Sequence, residues 1–479
     1  MDAQSAADPE VARSKPLALK TLLFYGSGQS GAQLCRDAPA SLLPLFMATM
    51  LGVSPWLAGV VILVPKLWVI VCDPLMGALS DHFKPRFGRR PFLVAGGVVT
   101  ATSFVGLFAF SDFSSPAVAA LTVGVMYFIS STAFSAFSVP YLAVASELST
   151  DPHERTKILA VRMIFSIVGV IMGVGLAQPL VFMLGGDAAA WRTMAMIFGA
   201  VCLLAMLITA YGVPRDFGAA RNAVRAVVTD GIERVAPKTT LQRFLGVRHN
   251  KPFMILTLTS LIQTIAQGSG YAVVGFIFIY AIGDISLLLP FVLSMAVGVV
   301  ISQAFWVKLS TRIGKQSTFY LACSGWILIT LTWFAVGPAD DVLLTLPLWG
   351  DLPTQHALVL GRGMVIGITN SGFSLLTFSL FTDTVSFQRE QTGAVDEGIL
   401  AGIFSATEKL AFALGPLLAG IVLSVVGFES STDGPAPQSA QAIQGMIWLY
   451  SIIPAGILAL SLAVFAQYNK ALKTGIRAS

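Results

Sequence analysis

The chain has 479 residues, of which 55% are hydrophobic and only 11% charged, with a formal net charge of +5. A soluble globular chain carries about 25% charged residues, so these are too few to coat a water-facing surface, and one large soluble fold is excluded. The four cysteines, Cys35, Cys72, Cys202 and Cys323, all lie in apolar stretches without metal-ligand spacing; they read as small hydrophobes, with neither a disulfide framework nor a metal site implied.

The first 20 residues are polar and mixed in charge, without the basic-then-apolar layout of a cleaved signal peptide. A membrane span needs about 20 mostly apolar residues, and about twelve such stretches follow in chain order. They run near 21–51, 56–80, 91–111, 116–146, 158–184, 192–213, 252–282, 286–311, 317–337, 355–383, 398–427 and 442–467. Backbone polar groups must be satisfied inside lipid, so these stretches are helices, and the expected fold class is an all-α integral membrane protein.

The loops between them alternate in charge. Lys84, Arg86, Arg89 and Arg90 follow the second span, Arg155 and Lys157 the fourth, and the segment after the sixth carries eight basic residues from Arg215 to Lys251. Arg312 and Lys315 precede the ninth span, Arg389 lies between the tenth and eleventh, and Lys470, Lys473 and Arg477 close the chain. The alternate loops hold Asp112, Asp187, Asp284, Asp340, Asp341, Asp351, Glu429 and Asp433, with Arg192 as the main exception. The positive-inside rule then predicts both termini in the cytoplasm of a cell inner membrane. It also accounts for the net charge without a nucleic-acid partner. The expected organisation is a tail over 1–20, a six-helix bundle over 21–213, a cytoplasmic loop over 214–251, a second six-helix bundle over 252–467 and a tail over 468–479. A weak echo between Gly77-Ala-Leu-Ser-Asp81 after the second span and Val307-Lys-Leu-Ser after the eighth supports that division.

Ionisable residues inside spans are costly, roughly 2.5–3.5 kcal/mol on insertion scales, and those that persist usually face a cavity or a partner. Here they are Arg36, Asp37, Lys66, Asp73, Arg162, Arg362, Glu408 and Lys409. Arg36 and Asp37 point about 100° apart on a helix, which makes a direct pair awkward, whereas Asp37 falls one turn after Gln33 on the same face. Lys66 and Asp73 are two turns apart and within reach of one another through long side chains. Arg362, near the outer end of its span, is placed to snorkel. The histidines His82, His153, His249 and His356 form no ligand cluster and no nucleotide-binding loop is present, so the chain reads as no enzyme and needs no cofactor.

The stretch from Lys66 through Asp73-Pro74, Gly77 and Asp81 to Gly88-Arg89-Arg90-Pro91 resembles the loop between the second and third helices of the major facilitator superfamily. Its Asp-Pro and its long Asp81–Gly88 spacing resemble the glycoside–pentoside–hexuronide:cation symporter family. Phe137-Ser138-Val139-Pro140-Tyr141 through Glu147, Glu154 and Arg162, and then Thr382-Asp383, Glu397, Glu408-Lys409 and Gln438 to Met446, extend the resemblance over nearly the whole chain. The resemblance implies the major facilitator fold, with two six-helix halves rocking about a mid-membrane site. In that setting Asp81, Arg89 and Arg90 read as a charge latch that gates access.

Site roles follow from the family's melibiose-carrying member. Its sugar-binding acids fall on Gln33 and Ser138 here, its fifth-helix arginine on Arg162, its second-helix acids on Val69 and Asp73, and its eleventh-helix lysine on Lys409, while its stacking ring falls on Leu142 with Tyr141 beside it. The expected substrate residues are Gln33, Asp37, Ser138, Tyr141, Arg162, Gln267 and Lys409. Those expected to couple the cation are Asp73, Asp37, Ser138 and Lys66. The implied function is symport of a glycoside, oligosaccharide or uronide by a monomer embedded in the lipid bilayer. The coupling ion is expected to be a proton rather than sodium, because one carboxylate is too few for a sodium cage. Two other readings of the same fold are a carrier of lysolipids or other amphiphiles and a non-transporting sensor.

Overall fold

A computed structural model describes residues 17–149, 152–213, 247–338, 341–346, 350–392 and 397–476. Most of the expected central loop, residues 214–246, and most of the first tail, 1–16, lie outside the described residues.

The first half contains α1 (Leu19–Met50), α2 (Pro55–Phe87), α3 (Arg90–Phe108), α4 (Pro116–Leu148), α5 (Pro152–Val170) and α7 (Ala188–Gly212). A π-helical turn, Ile171–Leu176, carries α5 into the short α6 (Ala177–Met183), so the two make one span. The second half contains α8 (Lys251–Phe276, extended by a π turn over Ile277–Ala281), α9 (Leu288–Ile313) and α10 (Lys315–Leu331). After a hairpin come α11 (Thr354–Thr392) and α12 (Glu397–Val425), then α13 (Ala440–Tyr450), α14 (Ile452–Phe465) and α15 (Tyr468–Ile476). The hairpin is antiparallel, β1 (Val342–Leu346) with β2 (Gly350–Pro353). It is the one departure from an all-α chain among the described residues, and it lies between two spans rather than within one.

Among the described residues, eleven helical segments are long and apolar enough to cross a membrane. On α2 the exposed Leu67, Val71, Leu75 and Leu79 recur at every fourth residue, the stripe of a helix that turns one face to lipid. The remaining expected span, α1, is 32 residues long but carries Gln29, Gln33, Arg36 and Asp37. It can be polar because it is sheathed by protein: it packs against α5 and α7 of its own half and α8 of the other, and most of its residues are buried.

The second helix runs further than its apolar stretch. It continues to Phe87, so that Asp81, Lys84 and Arg86, expected in a loop, lie on its final turns. Gly88, at φ +69°, ends it, since only glycine takes a left-handed backbone freely. Pro91 then opens α3 in its first turn, where a missing N–H costs nothing. The basic side chains in the last turn of α2 suit the negative end of the helix dipole.

The halves meet most closely at the end of the bundle that carries the 51–54 turn. The Gly52 N–H donates to the Ser431 carbonyl at 2.9 Å, Ser431 N–H to Ala48 at 2.8 Å, and Gly434 N–H to Thr49 at 3.0 Å. Alongside, Gly59 of α2 lies so near α12 that a Cβ on it would sit 2.7 Å from Leu417 Cα.

Candidate functional site

Midway along α1, Gln29, Gln33 and Asp37 follow one another at i, i+4 spacing and share one face. Their side chains form a chain: Gln29 Nε2 donates to Gln33 Oε1 at 3.1 Å and Gln33 Nε2 to Asp37 Oδ2 at 2.6 Å. From the fifth span, Arg162 Nε donates to Gln29 Oε1 at 2.8 Å and Ser166 Oγ to Gln33 Oε1 at 2.8 Å. Asp37 only accepts, so each amide must point its nitrogen towards it, and every donation runs the same way. Arg162, half-buried, has no carboxylate within ion-pair distance among the described residues. Gln29 went unassigned in the sequence reading, although its spacing to Gln33 was the signal for it.

Arg36 Nε pairs with Asp37 Oδ1 at 2.8 Å, although the two point about 100° apart on the helix and a direct pair was expected to be awkward. The arginine is long enough to bend back, and its half-exposed side chain gives it room to do so. Asp37 itself is 1% exposed, so its charge is held by Arg36 and the Gln33 amide.

Across the interface between the halves, Asp73 of α2 pairs with Lys409 of α12. This corrects the expected Lys66–Asp73 contact. Lys66 instead lies over the Tyr127 ring at 5.4 Å, a cation–π contact that leaves Asp73 to the other half. Glu408 lies within electrostatic reach of Arg36 and Lys409, and Lys66 within reach of Arg36, Asp37 and Asp73. Near the middle of the bundle, then, Arg36, Lys66, Arg162 and Lys409 stand against Asp37, Asp73 and Glu408. Four cations face three carboxylates.

Tyr141 is not free to meet a solute. Its ring stacks on Tyr25 with centroids 4.6 Å apart, and its hydroxyl donates to the Tyr25 carbonyl at 2.9 Å. It binds α4 to α1. Ser138 is half-buried on α4. Gln263 is fully buried and gives its amide to Cys323 Sγ at 3.3 Å, away from the relay. Gln267, one turn on, lines a cavity of about 270 Å³ that also touches Ser166. Arg362, expected to snorkel, is 7% exposed and lies over the Trp333 ring at 5.5 Å. An aromatic face inside the bundle offers it a closer partner than water.

At the other end of the bundle the charges pair within each half. Arg89 reaches Asp81 at 2.7 Å, Glu147 at 3.0 Å and Ser80 Oγ at 2.8 Å, while Lys84 holds the same Glu147 at 2.6 Å. Arg90 turns away to cap α7, donating to the carbonyls of Ala210 at 2.7 Å and Tyr211 at 3.1 Å. In the second half Lys315 pairs with Asp383 at 2.7 Å. The buried hub of the first cluster is Glu147, not Asp81, whose side chain is 68% exposed. Exposed ion pairs contribute roughly 0–1 kcal/mol, so Asp81→Asn is expected to leave the thermal midpoint almost unchanged. Glu147→Gln leaves Lys84 without its carboxylate and Arg89 with only the exposed Asp81, and is expected to lower it further than Asp81→Asn does. Thermal unfolding of the two purified variants compares them, and an equal drop in both would refute the hub.

Comparison with known proteins follows the same outline. Residues 24–470 match the family described as MFS/sugar transport protein. The isoprimeverose transporter of Lactiplantibacillus pentosus is 22% identical over 436 residues, 90% of this chain and 84% of that protein. The inner membrane symporter YicJ of Escherichia coli strain K12 is 21% identical over 459 residues, 95% of this chain and 93% of that one. The crystal structure of the nucleoside transporter NupG superposes with a TM-score of 0.64 at 16% identity, covering 94% of this chain and 99% of that one. With a family match over almost its full length and helices enough to cross a membrane many times, the chain belongs to the MFS/sugar transport protein family, and it is a multi-pass transporter of the major facilitator fold, not an enzyme.

Proposed function

We propose that this transporter couples the entry of a small polar glycoside or uronide to a proton, across an inner membrane with both termini in the cytoplasm. The observation that carries the reading is the Asp73–Lys409 pair, which joins the two halves in the middle of the bundle beside the Arg162–Gln29–Gln33–Asp37 chain. Protonating Asp73 removes the charge that holds Lys409, and so loosens one tie between halves that must separate and rejoin in each cycle. Sodium is disfavoured because it needs several converging oxygens, whereas Lys409 already occupies Asp73 and the neighbouring Val69 offers none. The surplus cation favours a solute with its own negative charge, such as a uronate, and Arg162 is placed to receive it.

The loop charges put the end carrying Arg89 and Lys315 in the cytoplasm. The close contacts between the halves at the 51–54 end support a form closed towards the outside. The names of the relatives, an isoprimeverose transporter and an inner membrane symporter, support the same reading. Uptake of labelled glycosides and uronates into proteoliposomes, under an imposed pH gradient with and without sodium, tests it. Accumulation should follow the pH gradient alone. Accumulation that needs sodium and ignores pH overturns the proton, and no accumulation of any sugar overturns the substrate class.

A further inference from the structure

We propose that the 270 Å³ cavity is a second subsite, which takes a ring-sized, mostly apolar aglycone while the α1 relay holds the sugar. The inference rests on the glycoside reading above and narrows its substrate to glycosides with an aryl-like aglycone. The cavity lies between the fifth span and the second half, and Ser166, which donates to Gln33, is part of its wall. The two places therefore adjoin at Ser166, close enough for one solute with a polar and an apolar end to reach from one to the other.

The walls decide the chemistry. Tyr271, Phe291, Trp326, Trp333 and Tyr450 line it, and few polar groups interrupt them. Trp333 is braced edge-on by Phe291 at 5.5 Å and Tyr450 at 4.8 Å between centroids, and Arg362 lies over its face. Fixed aromatic walls favour a flat ring at low entropic cost. A cavity of about 150 Å³ lined by aliphatic side chains and Phe accepts benzene, so this one has space for a substituted ring. Gln267 and Asn370 add two amides to the same wall.

The test uses the full chain in lipid nanodiscs and isothermal titration with matched probes: the methyl, phenyl and para-nitrophenyl glycosides of glucose, xylose and glucuronic acid, with cellobiose as a two-sugar control. The phenyl and nitrophenyl forms of the accepted sugar should bind roughly tenfold or more tightly than the methyl form. Ala296→Phe, which fills the cavity from α9, should erase that gap and leave methyl glycoside binding unchanged. Val299→Phe, one turn further along the same wall, serves if the first variant does not fold. Equal binding of methyl and aryl forms, or a gap that survives filling, overturns the subsite. A gain for cellobiose as large as for the aryl glycosides overturns its apolar character. Binding of none of the probes overturns the glycoside reading itself, and this proposal with it.

Discussion

Lys409→Met is expected to abolish gradient-driven accumulation and to lower stability by about 1–3 kcal/mol, between the cost of breaking an exposed ion pair and that of stranding one partner of a buried one. The asymmetry of the pair sets the figure. The Asp73 side chain is 14% exposed and its Oδ1 is buried without a hydrogen-bond donor, whereas Lys409 is 39% exposed. Removing the lysine leaves a carboxylate with only the more distant Lys66 as a counter-charge. Removing the carboxylate leaves a lysine that can reach water along its own stem. Asp73→Asn should therefore fold almost as the unaltered chain does, exchange substrate at equilibrium, and fail to concentrate it against a gradient. The double variant should recover most of the lost stability but none of the coupling, because the pair is then neutral on both sides. Thermal unfolding and proteoliposome uptake on the three variants separate these effects. Full accumulation by Asp73→Asn would remove Asp73 from the coupling step, and a double variant no more stable than Lys409→Met would deny the pair.

Much of this architecture was legible in the sequence, for physical reasons that differ by element. The apolar spans announce themselves because lipid demands about 20 residues without charge. The first helix is legible as an apolar span over 21–51 by its length, although Gln29, Gln33, Arg36 and Asp37 interrupt it. Its polar face, Gln29 to Asp37, is tolerated because neighbouring helices cover it, a fact of packing that no local pattern carries. The relay from Gln33 to Asp37 follows from spacing on one helix, and so did the missed Gln29. The partner of Asp73 did not. Lys66 was near in sequence and Lys409 lies 336 positions away, and only the packing of α2 against α12 chooses between them. Tyr141 shows the converse. A tyrosine beside a site position invites a binding role, but its stack on Tyr25 makes it a tie between helices. Glu147 stood in view within a matched stretch, yet its place as the hub shared by Lys84 and Arg89 depends on α4 reaching the end of α2.

Arg162→Ala is expected to weaken binding of a uronate by roughly 100-fold, about 3 kcal/mol, while leaving the fold intact. The second half of that expectation follows from the site itself. Arg162 has no counter-charge to strand among the described residues, and its hydrogen bond to Gln29 Oε1 can be replaced by one to water at a side chain that is only half-buried. The first half follows from its charge. A guanidinium half-buried near the middle of the bundle costs free energy to place there, and a bound carboxylate offsets that cost with two parallel hydrogen bonds. Arg162→Lys keeps the charge but not the fork, so it should fall between the two, roughly tenfold weaker than the unaltered chain. A neutral methyl glycoside lacks the carboxylate and should lose far less than the uronate in Arg162→Ala. That difference separates recognition of the anion from a general disturbance of the α1 relay, which would weaken both probes alike. Titration of paired uronate and methyl glycoside probes into the three proteins, with thermal unfolding beside it, measures each arm. Uronate affinity unchanged in a folded Arg162→Ala protein would remove the arginine from the site.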